Sequence, residues 1–176
     1  DCLQALAEVR AVDRPGFQAS TLSLLLPVRQ GHVDLEPAMD RLCRQATEAI
    51  EEGTNLLILS DRGIDRWHST VPALLATAGL HHYLIGRGLR TQVSLIVESG
   101  EPREVHHFAT LIGYGADAVN PYLAFETIAG ILKRQMVTEI TFEEDSQKYV
   151  HAIVKGVVKI ISKMGISTIQ SYHGAQ

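Results

Sequence analysis

One feature constrains the fold more than any other: short apolar runs, rich in Val, Ile and Leu, alternate with longer stretches of helical spacing. The runs are Thr21–Leu26, Asn55–Ser60, Gln92–Val97 and Ala116–Val119. Each is nearly continuously apolar, as a strand covered on both faces requires. The stretches between them are long enough for helical crossovers between parallel neighbours. The sequence therefore predicts an α/β fold with a parallel sheet of βα units, ordered either as part of a TIM-type barrel or as a doubly wound sheet. With 176 residues, there is material for one domain, or for one domain and the start of another.

Composition excludes several classes. Hydrophobic residues make up 45% and charged residues 20%, too apolar for a disordered chain. Sixteen basic residues against 20 acidic ones leave a net charge of −4, with no basic footprint for nucleic acid or an anionic membrane. The two cysteines, Cys2 and Cys43, are too few for a disulfide scaffold or a four-cysteine metal site. Cys43 falls in an apolar stripe with no His or Lys beside it in sequence, so it reads as a structural thiol.

Helix boundaries are legible. One helix is predicted from Asp34 to Gly53, its apolar stripe carrying Leu35, Met39, Leu42, Cys43, Ala46 and Ile50. A second runs from Thr70 to Gly86, with Val71, Leu74, Leu75, Ala78, His82 and Ile85 on one face and Ala73, Ala76 and Leu80 on the other. No Asp, Glu, Lys or Arg lies between Arg66 and Arg87. A helix apolar nearly all round is expected to be covered on both sides, which points to further domains. A third helix is expected after Ser99, with Pro102 in its first turn, and a fourth after an Asn120-Pro121 cap. Gln135–Phe142 reads as a linker. Thr141-Phe142-Glu143-Glu144 is a capping box opening a long helix to about Met164.

Candidate site residues follow from the fold class. In α/β sheets ligands sit beyond the carboxyl ends of the strands, here carrying Asp61, Arg62, Glu98, Ser99 and Asn120. The plain alternative is an ion pair with helix caps tying adjacent loops. The pairs His81-His82 and His106-His107 are adjacent, so they diverge by about 100° on a helix and chelate poorly. Core or interface histidines are the simpler reading. Lys155, Lys159 and Lys163 form a solvated face, with Lys163 placed to meet a neighbouring domain. No motif for nucleophilic or metal-assisted catalysis stands out.

Three stretches carry a resemblance. They are Asn55–Arg62 (NLLILSDR), Glu98–Glu126 (including ESGEPREVHHF and LIGYGADAVNPYLAFE), and Ser162–Tyr172 (SKMGISTIQSY). Together they resemble the large (alpha) chain of glutamate synthase, from about Ser20 to Gln176. The resemblance implies a fragment of a longer multidomain chain: a cysteine glutaminase, a central domain, an FMN domain built as a TIM-type barrel, and a C-terminal β-helix. Residues 1–135 are then expected to be the C-terminal part of the central domain. Residues 136–176 would be a linker and the first elements of the FMN-binding domain.

The family reaction makes two glutamates from glutamine and 2-oxoglutarate, with ammonia passing inside the protein. The resemblance implies FMN and a 3Fe-4S cluster in the parent, none bound by this segment, and no catalytic residue here. It implies as partners the glutaminase and FMN domains of the same chain, with a small NAD(P)H-oxidising subunit or ferredoxin as electron source. The implied location is the cytoplasm, or a plastid in a photosynthetic eukaryote. Asp61, Arg62, Glu98, Ser99, His106, His107 and Lys163 are then candidates for interdomain contacts or the ammonia path. The alternative is a stand-alone α/β domain binding a small ligand at the strand ends.

Overall fold

A computed structural model describes residues 2–12, 14–28, 34–134 and 141–175. The elements are α1 (Cys2–Arg10), β1 (Ala19–Ser23), β2 (Leu25–Pro27), α2 (Leu35–Glu51), β3 (Leu56–Ser60), β4 (His68–Thr70), α3 (Ala73–Gly86), β5 (Ser94–Glu98), α4 (Val105–Gly113), β6 (Ala118–Asn120), α5 (Tyr122–Lys133), α6 (Phe142–Lys163) and α7 (Ile169–Tyr172). Most of the expected linker, 135–140, lies outside the described residues.

Four strands form a parallel sheet in the order β1-β3-β5-β6, and β2 and β4 form a separate antiparallel ribbon. Strand order follows chain order without reversal. This sequential order is shared by barrels and by either half of a doubly wound sheet, and among the described residues there is no reversal of the kind that creates a ligand crevice in doubly wound folds. The α/β expectation holds, with one correction. Thr21–Leu26 is two strands, because Leu24 still donates to the Ser60 carbonyl (2.8 Å) while Leu25–Leu26 turn away to pair with β4.

Register places Leu22 beside Leu59, and Leu57 beside Leu95. These leucines share one face with Leu42, Ala46 and Ile50 of α2 and with Ala76, Leu80 and Leu84 of α3, forming the main core. Ile58, between Leu57 and Leu59, faces the other way and is also fully buried. Its register partner Thr21 receives a hydrogen bond from Arg10 Nε (3.4 Å), which puts the end of α1 over that second face. Cover on both faces accounts for the continuous apolar runs.

The second predicted helix starts three residues late, at Ala73, because His68–Thr70 is drawn into the ribbon with β2. Its buried residues are Ala73, Ala76, Thr77, Leu80, His81 and Leu84, whereas Leu74, Leu75, His82 and Ile85 are exposed. Ala73, Ala76 and Thr77 let the start of α3 lie close to the sheet, Leu80 and Leu84 fill the core, and Leu74, Leu75 and Ile85 point outward. Pro102 precedes the third helix rather than opening it. Glu104 is the cap, in a reciprocal box with His107. The fourth helix begins at Tyr122 after a Pro121 cap, and Asn120 ends β6.

Residues 141–175 pack on α4 and α5. Val157 and Ile161 of α6 join Phe108 and Ala109 of α4 and Tyr172 of α7 in a second cluster. The approach of α6 to α4 depends on Gly156, where a Cβ would sit 2.5 Å from a Val105 methyl. Thr141 caps α6 as the sequence predicts, its Oγ1 accepting from the Glu144 amide (3.2 Å).

Candidate functional site

The carboxyl ends of β3 and β5 run directly into two polar side chains each, Ser60-Asp61 and Glu98-Ser99. Parallel register puts Ser60 opposite Glu98. The Asp61 amide donates to the Glu98 carbonyl (3.2 Å), and the Ser99 amide to the Asn120 carbonyl (3.1 Å), so the ladder continues one residue past the strands. Asp61, Ser60, Glu98 and Ser99 are all buried.

Two networks result. Asp61 accepts from Ser99 Oγ (2.5 Å) and from the Gly100 amide (3.1 Å to Oδ2), locking the turn after β5 onto the end of β3. Glu98 accepts from Arg62 Nε (2.7 Å), from Ser60 Oγ and from Arg10 Nη2. Arg62 also donates to Glu126 of α5 (3.1 Å), and its guanidinium lies 4.0 Å from the centre of the Tyr122 ring. One arginine thus ties the β3 loop to the end of β5 and to the first turns of α5.

The electrostatics follow from these partners. Burial opposes ionisation of Glu98, but hydrogen bonds from Ser60, Arg62 and Arg10 outweigh it and hold the carboxyl below the usual carboxylate range. Arg62 is partly desolvated, yet Glu98 and Glu126 raise it further above its ordinary value. Burial and the neighbouring Asp61 carboxylate push the Tyr122 phenol up to about 12, so it stays protonated.

Of the predicted residues, Asp61, Arg62, Glu98 and Ser99 come together. His107 is engaged at the start of α4, its Nδ1 accepting from the Arg103 amide (3.1 Å). His106 is exposed on the same helix, and Lys163 is exposed in the last turn of α6. Sequence reasoning missed Ser60, Arg10, Tyr122 and Glu126. Ser60 closes the apolar run and faces Glu98 by register, which a strand pairing could have shown. Tyr122 and Glu126 are four apart on one helix face. Arg10 lies 88 residues from Glu98, with no local signal.

A second polar cluster forms around His81, the buried member of its pair, whereas the sequence pattern favours His82 for the apolar face. Ala73, Ala76, Thr77, Leu80 and Leu84 form the buried side of α3 and carry His81 with them. Its Nδ1 accepts from Arg90 Nε (2.9 Å), and Arg90 also donates to the Gly115 carbonyl (2.9 Å) and to Asp117 (2.8 Å). Burial, then the Arg90 charge, lowers the imidazole to about 4, keeping it neutral.

The chemistry of these donor sets is restricted. An iron–sulfur cluster is held by several cysteine thiolates. This chain has two cysteines, and burial, followed by Asp40, pushes the Cys43 thiol up, away from the thiolate form. A flavin phosphate at the strand ends would meet Asp61 and Glu98, with Arg62 already shared between two carboxylates. Neither group fits these residues. Among the described residues, no three His, Cys, Asp or Glu side chains form a metal site, and no helix is long and apolar enough to cross a membrane.

Comparison with known proteins agrees with the resemblance. The family described as glutamate synthase central domain matches residues 2–176. The chain is 54% identical over 143 residues to the glutamate synthase [NADPH] large chain of Bacillus subtilis, covering 81% of this chain and 9% of the relative. It is 40% identical over 171 residues to glutamate synthase [NADH] of Schizosaccharomyces pombe, covering 96% and 8%. It is 37% identical over 177 residues to the chloroplastic ferredoxin-dependent glutamate synthase of Spinacia oleracea, covering 94% and 11%. The chain therefore spans about a tenth of the length of these relatives.

Proposed function

Because this chain belongs to the glutamate synthase central-domain family, we propose that it serves as a connecting and bracing segment of a glutamate synthase. The parent would make two glutamates from glutamine and 2-oxoglutarate. Residues 1–135 would supply the C-terminal part of the central domain, and 136–176 a linker and the first helix or strand of the FMN-binding domain. The observation that carries this reading is the closed strand-end network. Glu98 holds three donors and Asp61 two, and Arg62 spans two carboxylates. Groups so engaged position loops; they do not offer a free nucleophile or proton carrier.

FMN and the 3Fe-4S cluster would be held elsewhere in the parent, in keeping with the donor sets described above. The electron source would be a small NAD(P)H-oxidising subunit or ferredoxin, and relatives of each donor class are named among the matches. The location would be the cytoplasm, or a plastid where the parent is a photosynthetic eukaryote's. The stand-alone ligand-binding alternative loses support because Ser60, Asp61, Arg62, Glu98 and Ser99 are engaged within the network, although the buried Asn120 Oδ1 beside it has no partner among the described residues.

In the parent, the network would brace the interdomain ammonia path, with His106, His107 and Lys163 as rim contacts to neighbouring domains. The test is Arg62→Ala in the full-length enzyme, following glutamine hydrolysed per glutamate formed. Loosening the β3, β5 and α5 ends together is expected to raise that ratio while glutaminase turnover persists. An unchanged ratio would sink the proposal.

A further inference from the structure

We infer that the edge of β1, unpaired among the described residues, pairs in the parent with a further parallel strand from the same polypeptide. The inference rests on the reading that this segment works inside a longer chain, and its novelty lies in where that chain attaches.

Backbone direction identifies the edge. The Gln18 carbonyl accepts from the Leu56 amide (3.0 Å), and the Leu24 amide donates to Ser60. Backbone groups alternate along a strand, so even-numbered residues of β1 face β3. Ala19, Thr21 and Ser23 therefore turn their N–H and C=O groups outward, and β1 is the outer strand of the sheet.

The two edges of the sheet differ. β6 has three residues and is followed at once by Pro121, so it offers little to pair with. β1 has five residues, Ala-Ser-Thr-Leu-Ser, with no charge, proline or glycine to blunt it. Outer strands lacking such protection are pairing templates. An open groove runs along β1, walled by Arg41, Gln45 and Glu48 of α2, so an incoming strand would carry polar side chains on that side.

The occupant follows from order and length. Each successive parallel strand is added on the same side, β1 to β3 to β5 to β6. The place beside β1, where the described residues put no strand, is where a strand earlier in the series would fall. Relatives about ten times longer have chain to provide it. A parallel partner cannot arrive by a hairpin, so it requires a crossover connection from the same polypeptide.

The test uses the full-length enzyme. Residue-level hydrogen exchange is expected to show Thr21 and Ser23 amides slowed at least about a hundredfold relative to unpaired amides. Thr21→Pro removes one outward N–H without touching the β1–β3 ladder, which an unpaired edge tolerates. With a strand bound, the substitution is expected to strip protection from Ser23 and lower the melting temperature. Thr21→Val, which retains the amide, should do neither. Leu22→Pro breaks the inner ladder in every case and calibrates the loss. Exchange at unprotected rates, or Thr21→Pro behaving like Thr21→Val, would overturn the inference. So would protection that appears only with concentration-dependent dimerisation, since the partner would then be a second copy. None of these outcomes bears on the Arg62 coupling test, so the two readings can fail separately.

Discussion

The sheet with α2 and α3 and the module made by α6 and α7 treat apolar residues in opposite ways. In the sheet, Leu57, Leu59 and Leu95 are fully buried, and the polar groups above them are engaged with one another. In α6, one apolar edge, Val157 and Ile161, packs on α4, while Val154 and Val158 are 53% and 57% exposed. The core of the first region is closed within this chain, although among the described residues the β1 edge and Leu74, Leu75 and Ile85 of α3 stay exposed. The second carries an exposed apolar stripe at four-residue spacing along one helix face. Burial in the sheet fixes the strand ends that hold Glu98 and Arg62, whereas α6 is anchored along one side only.

The strongest way to break this contrast is to cut into the sheet. Leu59→Ala removes a side chain enclosed by strands and by α2 and α3, and is expected to cost about 2–5 kcal/mol. Unfolding of the chain by urea would measure it. A cost below about 1 kcal/mol would mean that the sheet core collapses around the gap and is no better packed than the α6 side.

Next in size is the polar layer. Glu98→Ala strips the acceptor from Ser60, Arg62 and Arg10, but both arginines are more than a third exposed and can turn to water. We expect a loss of about 1–3 kcal/mol, below that for breaking a fully buried pair. The same residue sets an acid limit. Its folded carboxyl lies below the ordinary range, so its stabilisation is fully present above that range and lost as pH falls through the folded value. Acid unfolding should therefore be less steep in Glu98→Ala than in the parent sequence. Equal slopes would show that the network contributes nothing to folding.

How much of this was legible in the sequence depends on the range of the cause. The four strands of the parallel sheet, most ends of the predicted helices and the Thr141 box are local and were readable, whereas α1 and β4 were not. The strand-end positions of Asp61, Arg62, Glu98 and Ser99 followed from the fold class. What failed was decided by partners distant in the chain. The Thr21–Leu26 run split because β4 draws Leu25–Pro27 away. Which face of α3 meets the sheet stayed open in the sequence, because both faces are apolar; packing on the sheet selects Ala76 and Thr77 over Leu74 and Leu75, a choice hydrophobicity alone does not make in a charge-free helix. Arg10 reached Glu98 only through the tertiary fold.

The smallest expected effect is the sharpest test of the α6 side. Val154→Ser replaces an exposed methyl pair with a hydroxyl on the outer stripe of α6. Half-exposed side chains away from a core change stability by about 0.5 kcal/mol or less. In the isolated 176-residue chain the substitution should therefore be nearly silent. In the full-length enzyme, a neighbouring domain lying on the stripe would bury that side chain, and a hydroxyl left without a partner there costs about 1–3 kcal/mol. The diagnostic quantity is the difference between the two backgrounds, read as a shift in thermal midpoint. A silent result in both would leave α6 with an exposed apolar stripe in the whole enzyme and remove the contrast with the sheet.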